Sequence, residues 1–321
     1  MLGVFYQHED AAQALETVSA SRIDTGILTN PIALCDKSAT NTGFTTTSSS
    51  SAGGTAWRVT SATEDDSIEE EVVFTVHGIV FQCDLPPIVQ SYGKSTSPRH
   101  LQQKVVITGL GTPTFTKALN GLARIDSLLR LNIRDTPKEL ATDLGGYPTL
   151  TIANRFFTSK KIAKEEEHVG FTDDIDPKGI LEAFRGDTLV HTTENEVFYY
   201  RRNLLQTGEH HFSKIQPANI KAGDVIEVQF TVTLVESTNK NTARKPNCIT
   251  KLILRSITLL DDTFSENARL AQVLMPAPNR RTLKRKVGHD EEESREAEHR
   301  LKRMAIDPTQ GNGSYNQPTQ S

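Results

Sequence analysis

Residues 221–237, "KAGDVIEVQFTVTLVES", alternate apolar and polar side chains over a longer run than any other part of the chain. Ile226, Val228, Phe230, Val232 and Leu234 fall on one side, and Glu227, Gln229, Thr231 and Thr233 on the other. A period of two is that of a β-strand with one face against a core. Gly223 and Asp224 supply turn chemistry just before it. After the basic loop "TNKNTARKPN" the chain returns as "CITKLILRSITLLDD". Here Leu252, Leu254, Ser256 and Thr258 oppose Ile253, Arg255, Ile257 and Leu259. Both faces are partly apolar, so this strand is expected to be the more central of a long antiparallel hairpin.

Further segments fit the same architecture. "EVVFTVHGIVFQCDLPP" predicts a strand over 72–81 that ends before the proline pair, and "KVVITGLGTPT" one over 104–108. Ala118, Leu119, Leu122, Ile125 and Leu129 recur three or four apart and predict a helix with one buried stripe. Gly121 within it costs about 1 kcal/mol against alanine. A strand is expected near 149–157. "TLVHTTENEVFYYRR" reads as a hairpin turning at Glu194 and Asn195. Residues 1–65, with their Ser/Thr/Gly tract, read as a weakly structured segment and linker that includes a short amphipathic stretch from Asp10 to Val18. The expectation is a mainly β, β-rich α+β protein: an antiparallel sheet or a partly closed small barrel, with one or two packed helices and disordered termini. The folded domain spans 66–275, with two subdomains as an option that would meet near 160–180. A disordered charged tail covers 276–321, with a charged helical stretch over 291–304.

Charge is unevenly spread. Residues 1–276 hold 27 Lys and Arg against 33 Asp and Glu, a net of −6, while 277–321 hold 9 against 7. Any attraction of a polyanion to the body must therefore be local. In the tail, Arg280, Arg281, Lys284, Arg285 and Lys286 form one basic cluster, and Arg300, Lys302 and Arg303 a second. Two such clusters on an accessible segment have the form of a bipartite nuclear import signal, with an import receptor as the partner; the bland alternative is a solvated charge run. The intervening acidic run would repel a phosphate backbone, so the tail is a poor nucleic-acid reader. Cys35, Cys83 and Cys248 are too few and too scattered for a disulfide framework, which fits a reducing compartment. The amino terminus lacks the basic start of a secretory signal, and no apolar run is long enough to span a membrane.

Chemistry-bearing constellations are sparse. Tyr199 and Tyr200 beside Arg201 and Arg202, with Lys240, Arg244 and Lys245 in the hairpin loop, could stack bases and hold phosphates of single-stranded or duplex nucleic acid. The competing reading splits the adjacent aromatics, with Tyr199 or a neighbour in the core. His77, Cys83 and Asp84, the His210–His211 pair, and Asp173, Asp174 and Asp176 have no recognised metal spacing. Neither "GLGTPT" nor "LGGYP" completes a phosphate-binding loop. No cofactor, metal or catalytic residue is expected. Together with "LVHTTENEVFYYRR", the runs "GDVIEVQFTVTLVE" and "KLILRSITLLDDTFSENA" resemble a family of uncharacterised proteins frequent in mushroom-forming (basidiomycete) fungi, over about residues 165–275. The resemblance implies a fungal source and carries no activity. The leading expectation is a non-enzymatic nuclear protein whose β-rich domain contacts nucleic acid or a protein partner. The alternatives are an enzyme with a site assembled from distant loops and a module that self-associates.

Overall fold

In the computed structural model the alternating run becomes a twelve-residue strand buried on both faces, not one. The structure describes residues 2–24, 32–35, 44–51, 54–62, 69–88, 97–164, 166–236, 248–274 and 289–304. Its elements in chain order are α1 (His8–Asp24), β1 (Ile32–Ala33), β2 (Phe44–Ser51), β3 (Gly54–Ala62), β4 (Glu69–Glu71), β5 (Phe74–Asp84), β6 (Gln102–Thr108) and α2 (Pro113–Leu131). There follow β7 (Thr142–Leu144), β8 (Tyr147–Arg155), β9 (Thr158–Ser159), α3 (Ile180–Arg185), β10 (Leu189–Val190), β11 (Phe198–Leu204) and β12 (His210–Lys214). The last are β13 (Val225–Glu236), β14 (Cys248–Asp261), α4 (Thr263–Leu274) and α5 (Asp290–Met304). The chain divides into two units, Met1–Leu274 and Met275–Ser321, and α5 belongs to the second.

Twelve strands form one mixed, mostly antiparallel sheet in the order β12-β11-β14-β8-β6-β5-β13-β3-β2, with β1 on β5, β4 on β3 and β7 on β8. The expected hairpin is present: β13 and β14 pair antiparallel from Val225–Asp261 to Glu236–Cys248. This ladder brings β14 back to β13, but β14 meets β8 through one register pair only, Ile253 with Ala153. A seam one pair long does not close a sheet, so the fold is an α+β sheet and not a small barrel. Five helices stand among the described residues where one or two were expected. The short α3, and α4 directly after β14, give no long periodic stripe from which to read them.

The apolar stripe of α2 is buried as its spacing predicts: Phe115, Ala118, Leu122, Ile125 and Leu129 join the main core with Phe74, Val76, Val228, Phe230 and Leu254. Gly121 has a packing reason, since a Cβ there would stand 2.3 Å from the Leu34 carbonyl oxygen. The opposite face of β5 and β13 carries a second cluster in which Ile79 and Val225 pack with Tyr6, Ala11 and Leu15. Even-numbered residues of β13 thus face the core beneath α2, and odd-numbered residues near its start face α1. The turn into β13 needs Gly223 (φ +96°), whose missing Cβ would lie 2.8 Å from the Tyr6 ring.

Two local expectations are corrected. The Ser/Thr tract within residues 1–65 forms β2, paired along its length with β3, which carries Trp57. Residues 188–202 are not a hairpin. β10 pairs with β9, while β11 runs parallel to β14 and antiparallel to β12. Glu194 and Asn195 sit in a short helical turn closed by a capping box between Thr192 and Asn195. No helix among the described residues is long and apolar enough to cross a membrane.

Candidate functional site

Where α1 no longer covers the odd face of β13, the sheet opens into a basin of about 1090 Å³. Thr233 and Val235 of β13 lie in its floor, with Ile249, Lys251, Ile253 and Arg255 of β14, Ala56 and Arg58 of β3, and Ala153 and Arg155 of β8. Register explains the grouping. Thr233 pairs with Arg58 on one side and with Lys251 on the other, so a cation flanks the threonine on each neighbouring strand. Strand spacing of about 5 Å puts these two backbones about 10 Å apart. The one-pair seam at Ile253–Ala153 brings β8 against the same face, with Arg155 two residues further along.

Among the described residues six cationic side chains line the basin, Arg58, Arg155, Lys161, Lys164, Lys251 and Arg255, against three carboxylates, Glu166, Glu194 and Glu236. Two of the cations are neutralised from the side. Arg255 reaches Glu194 at 2.8 Å and Glu71 at 3.1 Å, and Arg58 lies 3.6 Å from Glu71. Arg155 and Lys251 make no ion pair among the described residues. Both are exposed to solvent, each lying partly against the basin wall. That partial burial, with the Arg58 charge nearby, holds the Arg155 guanidinium below its ordinary range in spite of Glu166 and Glu194. Burial and the Arg155 charge do the same to Lys251. Cations held together without a direct ion pair favour an incoming anion, and among the described residues no aromatic side chain lines the basin. The contacts on offer are therefore to phosphate or carboxylate oxygens, without base stacking.

Of the residues expected to form a nucleic-acid surface, the four that the structure describes do not share one exposed face. Tyr199 is buried, and its hydroxyl donates to Gln103 Oε1 at 2.7 Å; burial holds the phenol well above its usual range. Tyr200 is half-buried and lines a separate recess. Arg201 pairs with Asp262 at 2.6 Å. Arg202 is half-buried, its guanidinium lowered by burial and by the charge of Arg22. Lys240, Arg244 and Lys245 lie outside the described residues, though the flanking Glu236 and Ile249 both line the basin. Of the tail clusters, Arg300, Lys302 and Arg303 are exposed on α5, while Arg280, Arg281, Lys284, Arg285 and Lys286 lie outside the described residues.

Two of the dispersed metal candidates are engaged elsewhere. His77 bonds Glu227 at 3.1 Å, Asp84 pairs with Lys104 at 2.8 Å, and no three His, Cys, Asp or Glu side chains converge to hold an ion among the described residues. What sequence reading missed is the set Arg58, Arg155 and Lys251. The available signal was a cation inside a strongly apolar strand, as in "CITKLILRS" and "TIANRFF". Comparison of the chain with protein-family models, with curated proteins and with solved structures finds no match.

Proposed function

We propose that the protein is a non-enzymatic nuclear binding module whose basin holds the phosphate backbone of nucleic acid. The observation that carries this reading is the excess of cations in the basin, six against three, in a body whose net charge is −6. The net negative charge of the body opposes a general attraction of polyanions, so binding is local to the basin and steeply salt-dependent. Arg155 and Lys251 carry the binding, with Lys161 and Lys164 at the rim. Without aromatic lining the contacts position a backbone and read no sequence. The charge-rich tail supplies import. Its second basic cluster lies on α5, a fifteen-residue helix whose side chains from residue 292 onward are exposed. Isolated helices of this length are marginal in water, so opening α5 into an import groove costs little.

Titration of the purified full chain against labelled single-stranded and duplex DNA and RNA at two salt concentrations tests the reading. Binding is expected at about micromolar at low salt, and each lost phosphate contact should flatten the log–log salt dependence by about 0.7–0.9. The paired substitution Arg155→Ala and Lys251→Ala should thus flatten it by between one and two. A flat titration by folded protein overturns the proposal. Import is tested separately: deletion of residues 280–303 should redistribute the protein, and a deleted form that stays nuclear removes that part.

A further inference from the structure

A second concavity, of about 220 Å³, has the opposite character to the basin. Aromatic side chains line it, including Phe171, Phe198 and Tyr200, together with Asp174, Glu196 and His191. It is smaller than the ~300–1,000 Å³ of ordinary ligand pockets, a size for one side chain or a small amine. Phe198 is 47% exposed, a large apolar ring left at the rim. Asp174 and Glu196 make no ion pair among the described residues, and Lys214 is the lone cation of the lining.

His191 makes the recess more than an apolar dent. The residue is buried, with 6% relative exposure, and its ring stacks on Phe171 at 4.2 Å between centroids. Nδ1 lies 2.7 Å from the Phe156 carbonyl oxygen. A carbonyl only accepts, so this nitrogen carries the hydrogen. Burial holds the imidazole pKa below its ordinary value, which leaves the ring neutral near pH 7 and Nε2 with a free lone pair. Nε2 has no protein partner among the described residues. The recess therefore offers one acceptor on a buried ring, two unpaired carboxylates and several π-faces. All three attract a cation that carries N–H groups on an apolar stem.

We propose that this recess binds the terminal ammonium of an alkylamine. An N–H is donated to His191 Nε2, the charge faces Asp174 and Glu196, and the methylene chain lies against Phe171 and Phe198. The amine is either a free small molecule or a lysine side chain on a peptide, and the two share this chemistry. The inference is independent of the basin, which takes anions.

Saturation-transfer NMR on the full chain distinguishes the cases, with n-butylammonium, n-butanol, a doubly capped lysine and the same lysine acetylated at Nζ as probes. The two ammonium probes should bind, and their neutral counterparts about tenfold or more weakly. Glu196→Gln, at the half-buried rim, should weaken ammonium binding about tenfold with an unchanged melting temperature; His191→Gln should do the same if it folds. Tighter binding of the capped lysine identifies a peptide side chain, and tighter binding of butylammonium a free amine. Equal binding of alcohol and ammonium, no saturation transfer at about 10 mM ligand, or an unaltered Glu196→Gln variant each overturns the proposal.

Discussion

One face of strand β13 carries charge in two ways. Near its start Glu227 is 1% exposed and fully engaged: Arg22 approaches at 2.6 Å and His77 at 3.1 Å. Toward its end the same face opens at Thr233, where Lys251 and Arg155 stand in the basin without an ion partner. Burial alone raises a carboxyl, yet His77 and Arg22 more than offset it and hold Glu227 below the usual range. In the basin burial also acts: it outweighs Glu166 and Glu194 at Arg155, and at Lys251 the Arg155 charge adds to it, so both groups are pushed toward losing charge. A charge matched from within the chain holds the fold together. A charge left unmatched at a solvent-open surface stays hydrated, costs the fold little, and remains available to a ligand.

The sharpest way to break this comparison is to unpair the matched end. Arg22→Met leaves Glu227 buried beside His77 alone, which should cost about 3–5 kcal/mol in denaturant unfolding. The double substitution Arg22→Met with Glu227→Met removes both charges and should recover most of that loss. A single variant as stable as the parent would show that the pair does not hold α1 to the sheet. The folded pKa of Glu227 is depressed, so its contribution is present above the unfolded value and is lost as pH falls through the lower folded one.

Asp224, one residue before β13, is an intermediate case: a buried carboxyl with polar partners and no ion pair. Burial raises it to about 6, against hydrogen bonds from the Ser265 hydroxyl and the Lys221 amide. Because the folded pKa lies above the unfolded one, the group's favourable contribution is full below about 4 and is lost as pH rises through about 6. Asp224→Asn can keep its neighbours satisfied. Its oxygen accepts from the Lys221 amide, and its NH2 donates to Ser265 Oγ, whose single hydrogen is then free to go to the Asp262 carbonyl oxygen at 2.9 Å. The variant should abolish the decline between pH 4 and 6 and gain on the order of 2 kcal/mol relative to the parent between those limits. An unchanged pH profile would mean that Asp224 titrates as an ordinary carboxyl.

The difference between the two ends also explains what the sequence could reveal. The alternation of β13, its pairing with β14 and the stripe of α2 are local patterns, and all three are present. Partners chosen at long range are not local. β11 joins β14 in parallel, and the serines of β2 form a strand because β3 pairs with it, although serine has no strand preference of its own. The same limit applies to the basin. Arg58, Arg155 and Lys251 lie on three strands nearly two hundred residues apart in the chain, and only register sets them on one face. The aromatic and arginine run at 198–202 was conspicuous because it was contiguous. Contiguity on a strand sends neighbours to opposite faces, and Tyr199 went to the core.

The smallest stability effect is the most telling. Residues that pack or pair inside the fold cannot be truncated without loss, whereas Arg155 and Lys251 have no ion pair to lose. Replacing both by alanine should change unfolding free energy by no more than about 0.5 kcal/mol, and relief of their mutual repulsion gives the change a stabilising sign. The same double variant should lose most of the salt-dependent nucleic-acid binding of the parent. Measuring both quantities on one preparation separates the readings. Lost binding with intact stability marks side chains kept for a ligand. A loss of several kcal/mol would place these cations with Arg22, as part of the scaffold, and the distinction between the two ends of β13 would fall.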